Sequence, residues 1–505
     1  MIHNLIVLTK DNLSERPDPT WEQRDFVSQV SDFMQYRSGG ITMVSGLRGT
    51  GKTVGLMQTI EYNDALYIRC CEKGKVSINQ VLDIIRSNPE KSNIMIDEFT
   101  WLKEFLPPET VDDYAKRGDA ERSIVALSES GKNIILTGTE SASLEAIKSR
   151  GFIHRTADTL HVTRFSFSEY TRIFKNSLPP RQQERYDAFL REAGIFDEYV
   201  KRSVNGIDEF IRDSIVENLY AYIGSDKGLT REQIASGVYT VLFEAVRDIV
   251  NTSIPKEKFI EQAKAKLAAM GVPDVTEKLR PEAVLRISET LESIGVIVKI
   301  PNAVPRQKRF DEARLDDERT YIVNPAISYR LARVVFGDID KEKDFLGHLM
   351  EAAVLVELDA IKRPGDKVYF FENDNREIGA VIAPIRGESP VSLIEVKHRY
   401  TISYDDLTKK TWSILSDEAE KRISERFPDN DIENRYFVYT GPQQILTSPK
   451  NNNTYLLIGI DECLQRYWDF DGNMNLIQKK MRTEQKNQHD SDLSKNPARI
   501  STELV

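Results

Sequence analysis

One glycine-rich segment constrains the fold of this chain more than any other feature. It reads Gly46-Leu47-Arg48-Gly49-Thr50-Gly51-Lys52-Thr53. An apolar run at 41–44 precedes it, and a helical pattern at 54–60 follows it. Glycines let the backbone curl so that its N–H groups face phosphate oxygens, and the N-terminus of the next helix adds partial positive charge. The pattern G-x-x-x-x-G-K-[ST] therefore predicts a strand, a phosphate-binding loop of the Walker A type and a helix.

The residues of this loop predict a nucleotide site in which Gly46 to Thr53 surround the phosphates. We expect the ammonium of Lys52 to reach the β- and γ-phosphates and the hydroxyl of Thr53 to hold Mg²⁺. A chance glycine-rich turn is the alternative, but the flanking strand and helix patterns argue against it.

A second segment supplies the acids that such a site needs. Ile94-Met95-Ile96-Asp97-Glu98 is an apolar run that ends in two carboxylates. We expect Asp97 to orient Mg²⁺ and its water, and Glu98 to polarise the attacking water as general base. The chain has no Asn-Lys-x-Asp segment that would read guanine, so the pattern favours ATP hydrolysis over a GTP switch.

Two further positions are candidates for contacts with the γ-phosphate. The apolar run 133–136 is followed by Thr137-Gly138-Thr139, and Thr137 or Thr139 is the predicted γ-phosphate sensor. Arg155 is the candidate arginine finger, from the same chain or from a neighbouring subunit. A plain turn at 137–139 and a solvated Arg155 are the alternatives.

Changes in pattern divide the chain into four parts. Apolar runs alternate with helical patterns in residues 1–175, which predicts βαβ units and a parallel sheet, that is, an α/β fold. Residues 176–344 read as helices followed by strand, loop and strand, which predicts a helical, winged-helix-like domain. Residues 345–478 read as a separate α/β domain, and 479–505 as a disordered polar tail. A chain of 505 residues is long enough for several domains.

The order of these motifs resembles the bacterial and archaeal AAA-type ATPases that carry a C-terminal restriction-endonuclease-like domain. Residues 165–170 match the segment that ends the family's ATPase core, without its proline. Weaker matches follow at 320–326, 347–351, 377–382 and 393–397, and the resemblance covers most of residues 20–440. It implies a P-loop core of the ASCE class, a winged helix and a nuclease-like domain.

The nuclease-like domain of that family carries the PD-(D/E)xK pattern, in which clustered carboxylates hold Mg²⁺ and a lysine activates water. Glu395 and Lys397 fit this pattern and lie two residues apart, so their side chains share one face of a strand. Glu351 adds a third group. Gly379 stands where the family has its aspartate, and Glu377, expected on the same side, is a partial replacement.

The sequence thus leaves two hypotheses open for the whole chain. One is an ATP-dependent enzyme acting on nucleic acid, with Glu351, Glu377, Glu395 and Lys397 as catalytic residues. The other is a nucleotide-controlled regulatory or interaction module with a catalytically dead nuclease-like domain. For the residues themselves, the alternatives are that Glu395 and Lys397 form an exposed cross-face pair, and that Glu351 is a polar position on an otherwise apolar helix.

Charge and composition restrict the partners and the compartment. The net charge of −10 argues against binding of nucleic acid by the whole surface and leaves local contact with DNA or RNA, at 397–400 or at 306–309. Protein partners and a homo-oligomer are also compatible with the sequence. No apolar run approaches the roughly 20 residues of a membrane span, no secretory signal is evident, and three cysteines form no disulfide framework. We therefore expect a cytoplasmic protein that uses ATP and Mg²⁺.

Overall fold

The structure, a computed structural model, describes most of the chain in segments. These are residues 4–12, 22–106, 110–138, 157–162, 164–192, 206–220, 228–250, 254–273, 275–304, 318–337, 343–362, 365–373, 376–387, 390–403, 417–447 and 454–464, with a few single residues between them. The predicted tail at 479–505 and the basic cluster at 306–309 lie outside these segments.

The chain divides into two compact units. Unit 1 comprises Met1–Leu178, Phe189–Val298 and Thr320–Ile339. Unit 2 comprises Pro179–Ala188, Lys299–Arg319 and Asp340–Val505. The boundaries at 175 and 345 and the four-part division remain predictions.

A sheet with six strands among the described residues forms the centre of the first part of unit 1. Its strands are β1 (Leu5–Leu8), β2 (Gly40–Ser45), β3 (Ala65–Cys70), β4 (Asn93–Asp97), β5 (Asn133–Thr137) and β6 (Ala157–His161). The spatial order is β1-β3-β4-β5-β2-β6; β1 is antiparallel to β3, and all other neighbours are parallel. The predicted parallel sheet is confirmed, because strands buried on both faces read as continuous apolar runs.

Helices cover both faces of this sheet. They are α1 (Asp25–Tyr36), α2 (Lys52–Asn63), α3 (Ile78–Arg86), α4 (Val111–Glu129) and α5 (Phe167–Ile173), with 3-10 turns at Lys10–Asn12, Phe99–Trp101 and Lys103–Phe105. Apolar side chains of α1 and α2 share a core with Tyr67 and Met95. Those of α3 and α4 share a core with Ile68 and Ile96 on the opposite face. Alternate residues of each strand therefore point to alternate helix pairs.

The chain between the two sheets is mainly helical. Most of it belongs to unit 1, whereas Pro179–Ala188 and Lys299–Arg319 belong to unit 2. The elements are α6 (Gln182–Glu192), α7 (Gly206–Phe210), a π-helical stretch (Ile211–Val216), α8 (Glu217–Leu219), α9 (Arg231–Val250), α10 (Lys256–Ala269), α11 (Pro281–Ser293), β7 (Ile297–Pro301), β8 (Glu318–Ile322) and α12 (Pro325–Phe336). Of the five helices that the sequence pattern predicts here, those at 181–191, 230–250, 256–270 and 281–294 agree with these bounds to within one residue. The fifth, at 207–223, is interrupted by the π-helical stretch. Helix α9 packs against α10, α11 and α12. β7 and β8 pair as a two-stranded sheet, in the predicted order of helix, strand, loop and strand.

Unit 2 contains a second sheet, again with six strands among the described residues. The elements are α13 (Lys343–Ile361), β9 (Asp366–Asn373), β10 (Arg376–Pro384), β11 (Val391–Lys397), α14 (Asp417–Arg426), β12 (Ile432–Tyr439), β13 (Gln444–Thr447), β14 (Thr454–Gly459) and α15 (Ile460–Leu464). The order is β13-β14-β12-β11-β10-β9. β9, β10 and β11 are antiparallel, whereas β11, β12 and β14 run parallel. This is the mixed α/β arrangement that the sequence predicts.

Helix α13 carries many apolar side chains and packs against β9, β10 and β11. Its buried face includes Leu349, Met350, Val354 and Leu358. Among the described residues, no helix is long and apolar enough to cross a membrane.

Candidate functional site

The glycine-rich loop lies between the end of β2 and the start of α2, as its sequence predicts. Gly49 and Gly51 adopt left-handed backbone angles, with φ of 81° and 82°. Side chains disfavour this region. Gly46 is required for another reason, because a Cβ there would lie 2.2 Å from the carbonyl oxygen of Val162 at the end of β6. The glycines therefore permit both the curl of the loop and its close approach to the neighbouring strand.

Lys52, the first residue of α2, folds back across the loop. Its Nζ donates to the carbonyl oxygens of Gly46 and Leu47 at 2.6 and 2.8 Å, and the residue is only 5% exposed. Burial lowers the pKa of Lys52 to about 8, although the nearby carboxylates of Glu98 and Asp97 oppose this shift. The ammonium is thus held at the place where the loop would receive phosphate oxygens.

Asp97, the last residue of β4, is fixed from three sides. Its Oδ2 accepts hydrogen bonds from the hydroxyls of Thr53 at 2.9 Å and Tyr67 at 2.6 Å. Its Oδ1 accepts from the backbone N–H of Glu98 at 3.0 Å. Arg69 Nε lies 3.9 Å from Oδ2. The carboxylate is therefore oriented towards α2 and the loop.

Tyr67 and Arg69 are functional candidates that the sequence analysis missed. They lie two residues apart on β3, the neighbour of β4, and therefore face the same side as Asp97. Burial and the charge of Asp97 raise the pKa of the Tyr67 hydroxyl far above its usual value, so Tyr67 remains a neutral donor. Their spacing beside an acid-ending strand is the signal that was available in the sequence.

Glu98 directly follows β4 and has a strained backbone. Its φ of 53° is left-handed, which is uncommon for a residue with a side chain. The residue is 5% exposed, and its charge raises the pKa of Lys52. Such strain is found at functional sites that the surrounding structure holds in place. Glu98 thus lies in the same charged environment as Lys52 and Asp97.

Thr137 ends β5, which lies between β2 and β4 in the sheet. Its Oγ1 is buried without a hydrogen-bond partner among the described residues, and so is the Oγ1 of Thr100. An unsatisfied hydroxyl is costly to bury, so Thr137 is available to a polar group entering the site. The other two predicted phosphate contacts, Thr139 and Arg155, lie outside the described residues.

A cleft within unit 1 adjoins the glycine-rich loop. The loop contributes Leu47, Arg48 and Thr50 to its wall. The remaining wall combines the end of β6 with the helical part of unit 1: Val162, Arg164, Phe210, Ile294, Gly295, Val296, Val323, Asn324 and Ile327. The cleft is therefore lined by apolar and polar groups beside a loop that suits phosphate.

In unit 2 the structure brings three of the predicted residues together. Glu395 and Lys397 on β11 form an ion pair, and Lys397 Nζ also lies 3.8 Å from Glu351 Oε1 on α13. Burial raises the pKa of Glu351 to about 8, although Lys397 acts in the opposite direction. Burial likewise raises the pKa of Glu395, against the effect of Lys397. Lys397 is thus the counter-ion of two largely buried carboxyl groups.

Glu377 is held differently from the other acidic candidates. Its carboxylate pairs with Arg319, which also pairs with Glu372 at 2.8 Å. Glu377 was expected to replace an aspartate at 379 because side chains two residues apart on a regular strand share one face. However, β10 changes register against β9 between Ile378 and Val381. The regular alternation therefore does not hold at this place.

Position 379 itself leaves little room for a side chain. A Cβ on Gly379 would lie 3.3 Å from both the Ile394 carbonyl oxygen and Val396 Cγ2. Among the residues that the structure describes, no three His, Cys, Asp or Glu side chains are grouped so that they could hold a metal ion.

The residues after Lys397 form a basic and aromatic patch, Lys397–Tyr400. Arg399 and Tyr400 are exposed, with 58% of the Arg399 side chain and 59% of Tyr400 accessible. His398 instead lies against Asp187, with Nε2 2.8 Å from Oδ1. The exposed part of the patch is therefore smaller than its sequence suggests.

A comparison with protein-family models covers the glycine-rich loop and the acids that end β4. Residues 38–171 match the family model described as "AAA domain". No curated protein sequence matches the chain at a significant level.

Several solved structures are similar over part of the chain. The Walker-type ATPase PABY2304 of Pyrococcus abyssi is 15% identical, covering 62% of this chain and 99% of that one, with a TM-score of 0.36. The Aeropyrum pernix ORC2 protein, solved as ADPNP–ADP complexes, is 12% identical, with coverages of 66% and 99% and a TM-score of 0.35. The Aeropyrum pernix ORC1 protein, solved with DNA, is 14% identical, with coverages of 68% and 99% and a TM-score of 0.24. By the family match and the site geometry, residues 38–171 of this chain form a P-loop domain that is similar to the AAA domain family.

Proposed function

We propose that the chain binds ATP at Gly46–Thr53 and hydrolyses it with Asp97 and Glu98. The observation that carries the proposal is the convergence of Lys52, Thr53 and Asp97. These groups follow or end parallel strands, and the carboxyl ends of parallel strands meet at one edge of a sheet, where α/β proteins bind their ligands. The loop N–H groups and Lys52 bind the phosphates, while Glu98 takes the role of general base towards the attacking water.

Mg²⁺ fits the donors present. The Thr53 hydroxyl and the Asp97 carboxylate lie 2.9 Å apart, and both are oxygen ligands of the kind that Mg²⁺ takes. When bound, the ion neutralises charge on the β- and γ-phosphates. In this proposal Thr53 and Asp97 hold the ion, and the Tyr67 hydroxyl and the Glu98 N–H keep the carboxylate of Asp97 oriented.

The remaining nucleotide contacts belong to the same proposal. The Thr137 hydroxyl senses the γ-phosphate, with Thr139 as the second candidate, and Arg155 acts as the arginine finger. The cleft lined by Phe210, Val296 and Asn324 accepts the nucleoside, because it adjoins the loop and combines apolar walls with polar groups. If a second copy supplies Arg155, specific activity rises with protein concentration.

Phosphate release from ATP in the presence of Mg²⁺ tests the ATPase proposal. Lys52→Ala should abolish turnover, and Glu98→Gln should retain ATP binding while losing hydrolysis. Lys116→Ala is the matched control, because the Lys116 side chain is 67% exposed on α4 and contacts only the neighbouring Asp113 in the pairs described. An unchanged rate in Lys52→Ala would show that the assignment is wrong.

The proposal for unit 2 is a restriction-endonuclease-like domain whose contact with nucleic acid depends on the nucleotide state of the ATPase domain. The convergence of Glu351, Glu395 and Lys397 supports the likeness to the PD-(D/E)xK site. The pairing of Glu377 with Arg319 and the tight fit around Gly379 favour a domain that binds without cleaving. The basic wing of a winged helix, at 306–309, and the patch at 397–400 are the proposed contacts with DNA or RNA.

Two assays on the full chain separate the two hypotheses for unit 2. Cleavage of DNA and RNA is measured with Mg²⁺ or Mn²⁺ in the presence of ATP, ADP or no nucleotide, and binding is measured by fluorescence anisotropy under the same conditions. Cleavage that Lys397→Ala abolishes would establish the nuclease. Nucleotide-dependent binding without cleavage would establish the regulatory module. If the chain neither cleaves nor binds nucleic acid, the nucleic-acid role is refuted.

A further inference from the structure

Arg24, which precedes α1 and lies outside the matched AAA segment, contacts the glycine-rich loop. Its Nη1 donates to the carbonyl oxygen of Thr50 at 2.5 Å. The Arg24 side chain is only 10% exposed. Its charge is also close enough to Lys52 to lower the pKa of that ammonium. An arginine that is distant from the loop in sequence is thus part of its support.

The other side of the Arg24 guanidinium is held by Glu169 on α5. Nε and Nη2 of Arg24 lie 3.1 and 2.8 Å from the two carboxylate oxygens, so the pair is bidentate. Nη2 also donates to the Arg164 carbonyl oxygen at 2.9 Å, and the guanidinium lies 4.4 Å from the centre of the Phe165 ring. Only a planar fork of donors makes this set of contacts at once.

Glu169 is also held by contacts other than the one with Arg24. It accepts hydrogen bonds from the backbone N–H groups of Asp25 at 2.8 Å and Ser166 at 3.1 Å, the latter within a capping box at the start of α5. Burial alone would raise the pKa of Glu169, but the hydrogen bonds and charge of Arg24 lower it. The carboxylate therefore remains ionised and holds the guanidinium in one orientation.

The Thr50 side chain and N–H are tied to Leu47, whose carbonyl oxygen accepts from the Thr50 hydroxyl at 2.9 Å and from the Thr50 N–H at 3.4 Å. The contact from Arg24 matters because it restrains the other end of the residue, the carbonyl that precedes Gly51. Thr50 lies between Gly49 and Gly51, both with positive φ, and glycines permit a peptide to rotate into other conformations. A trans peptide is planar, so the N–H of Gly51 points away from the carbonyl of Thr50. A fixed Thr50 carbonyl therefore fixes the direction of the Gly51 N–H. Gly51 is the N-cap residue of α2, and its N–H is one of the donors suited to phosphate.

We propose that Arg24 is a positioning residue for nucleotide binding: anchored by Glu169, it locks the Thr50–Gly51 peptide so that the loop presents its N–H groups to the phosphates. The inference rests on the proposed ATPase function. It assigns to Arg24 and Glu169 a role in ground-state affinity rather than in the chemical step, since neither touches the reacting atoms.

The test uses ADP and ATP as separate probes, with binding measured by isothermal titration calorimetry. Backbone N–H groups of such loops cradle the α- and β-phosphates, so Arg24→Ala should weaken ADP and ATP by a similar factor, about tenfold or more. The value of kcat at saturating ATP should change much less than KM. Arg24→Lys, which keeps the charge and one donor, should recover part of the affinity, and Glu169→Gln should lose part of it.

Arg172→Ala is the matched control. Arg172 lies on α5, like Glu169, and binds the start of α1 and the residue before Arg24, through the Asp25 carboxylate and the Gln23 carbonyl oxygen, each at 2.5 Å. None of its described contacts is with the loop. Its removal should therefore leave the affinity for ADP unchanged while loosening the same junction.

Several results would overturn the inference. One is an ADP affinity of folded Arg24→Ala within twofold of that of the wild-type chain. Another is an equal loss in Arg172→Ala, which would indicate a general effect of the junction. If Arg24→Ala fails to fold, Arg24→Lys and Glu169→Gln decide the question by the same measurement. A wild-type chain that binds neither nucleotide would refute the proposed function itself, whereas wild-type binding that Arg24→Ala leaves intact would refute only the role of Arg24.

Discussion

The Thr53 hydroxyl donates to Asp97 Oδ2 at 2.9 Å, although the two residues lie 44 positions apart in the chain. Thr53 is in the first turn of α2 and Asp97 ends β4. The contact therefore exists only because β4 runs parallel to the loop strand, with β5 between them. It joins the glycine-rich loop to the acid pair and is the proposed place for a divalent cation.

Thr53→Ala should weaken the dependence of nucleotide affinity on Mg²⁺. We expect the wild-type chain to bind ATP more tightly with Mg²⁺ than with EDTA, and this difference to fall about tenfold in the variant, because one oxygen ligand is lost. Titration of ATP with and without Mg²⁺ measures the effect. Thr53→Ser keeps the hydroxyl and should behave like the wild type; a Thr53→Ala protein with the full Mg²⁺ effect would contradict the assignment.

The part of this site that the sequence predicts consists of residues in local motifs. Lys52, Thr53, Asp97 and Glu98 each sit in a short segment whose chemistry is readable without knowledge of the fold. The buried strands of the first sheet were equally readable as apolar runs. The spacing of Tyr67 and Arg69 is visible in the sequence, but the contact of Tyr67 with Asp97 depends on the pairing of β3 with β4.

Other features depend on packing that short patterns do not encode. Helix α4 is missing from the predictions because few of its residues are buried, among them Ala120 and Ile124, so its apolar period is weak. The register change in β10 between Ile378 and Val381 inserts an irregularity that no alternation pattern reveals. The contacts of Arg24 join three segments that are distant in sequence.

The lowered pKa of Lys52 predicts a pH-dependent affinity for nucleotide. With a pKa of about 8 in the folded chain, the ammonium loses its proton above that pH, and a neutral amine no longer attracts phosphate. ADP affinity without metal should therefore fall several-fold between about pH 7 and pH 9.5. Calorimetry in buffers of different ionisation enthalpy should detect proton uptake on binding above pH 8. In Lys52→Met both effects should disappear.

The lowered pKa of Lys52 also predicts how the free energy of unfolding changes with pH. Between pH 8 and the ordinary lysine pKa of 10.5, the unfolded chain binds more protons at this position than the folded chain, so the Lys52 contribution to the free energy of unfolding rises with pH. The difference between wild type and Lys52→Met in urea unfolding should grow in favour of the wild type across this window. A constant difference would contradict the shifted pKa.

Asn133→Ala should destabilise the ATPase domain without touching its site. Asn133 Nδ2 is buried at the start of β5. It donates to the Arg37 carbonyl oxygen and Asn93 Oδ1, both at 2.9 Å, and lies 3.2 Å from the Met34 carbonyl oxygen. Its loss leaves buried acceptors unsatisfied, which costs about 1–3 kcal/mol. Urea unfolding measures the change, and Ser130→Ala, at an exposed hydroxyl nearby in sequence, should cost far less.

Lys397→Met should destabilise unit 2 in a pH-dependent way. Lys397 is the counter-ion of Glu395, which is 4% exposed, and of Glu351. Removing one partner of a buried pair leaves an uncompensated charge, at a cost of about 3 kcal/mol. Burial already raises the pKa of both carboxyl groups. Above the ordinary glutamate pKa, the folded variant therefore still binds protons at these groups, whereas the unfolded chain has released them. Its stability should therefore fall as pH rises from about 5 to 8.

The double variant Glu395→Gln/Lys397→Met isolates the buried charge at Glu395 as the cause of this loss. An amide has no charge to leave unpaired, so the double variant should recover a large part of the lost stability and show a weaker dependence on pH. Urea unfolding at pH 5.5 and 8 for the two variants and the wild type measures both effects. Equal stability of Lys397→Met and wild type at pH 8 would mean that Lys397 does not neutralise these carboxylates.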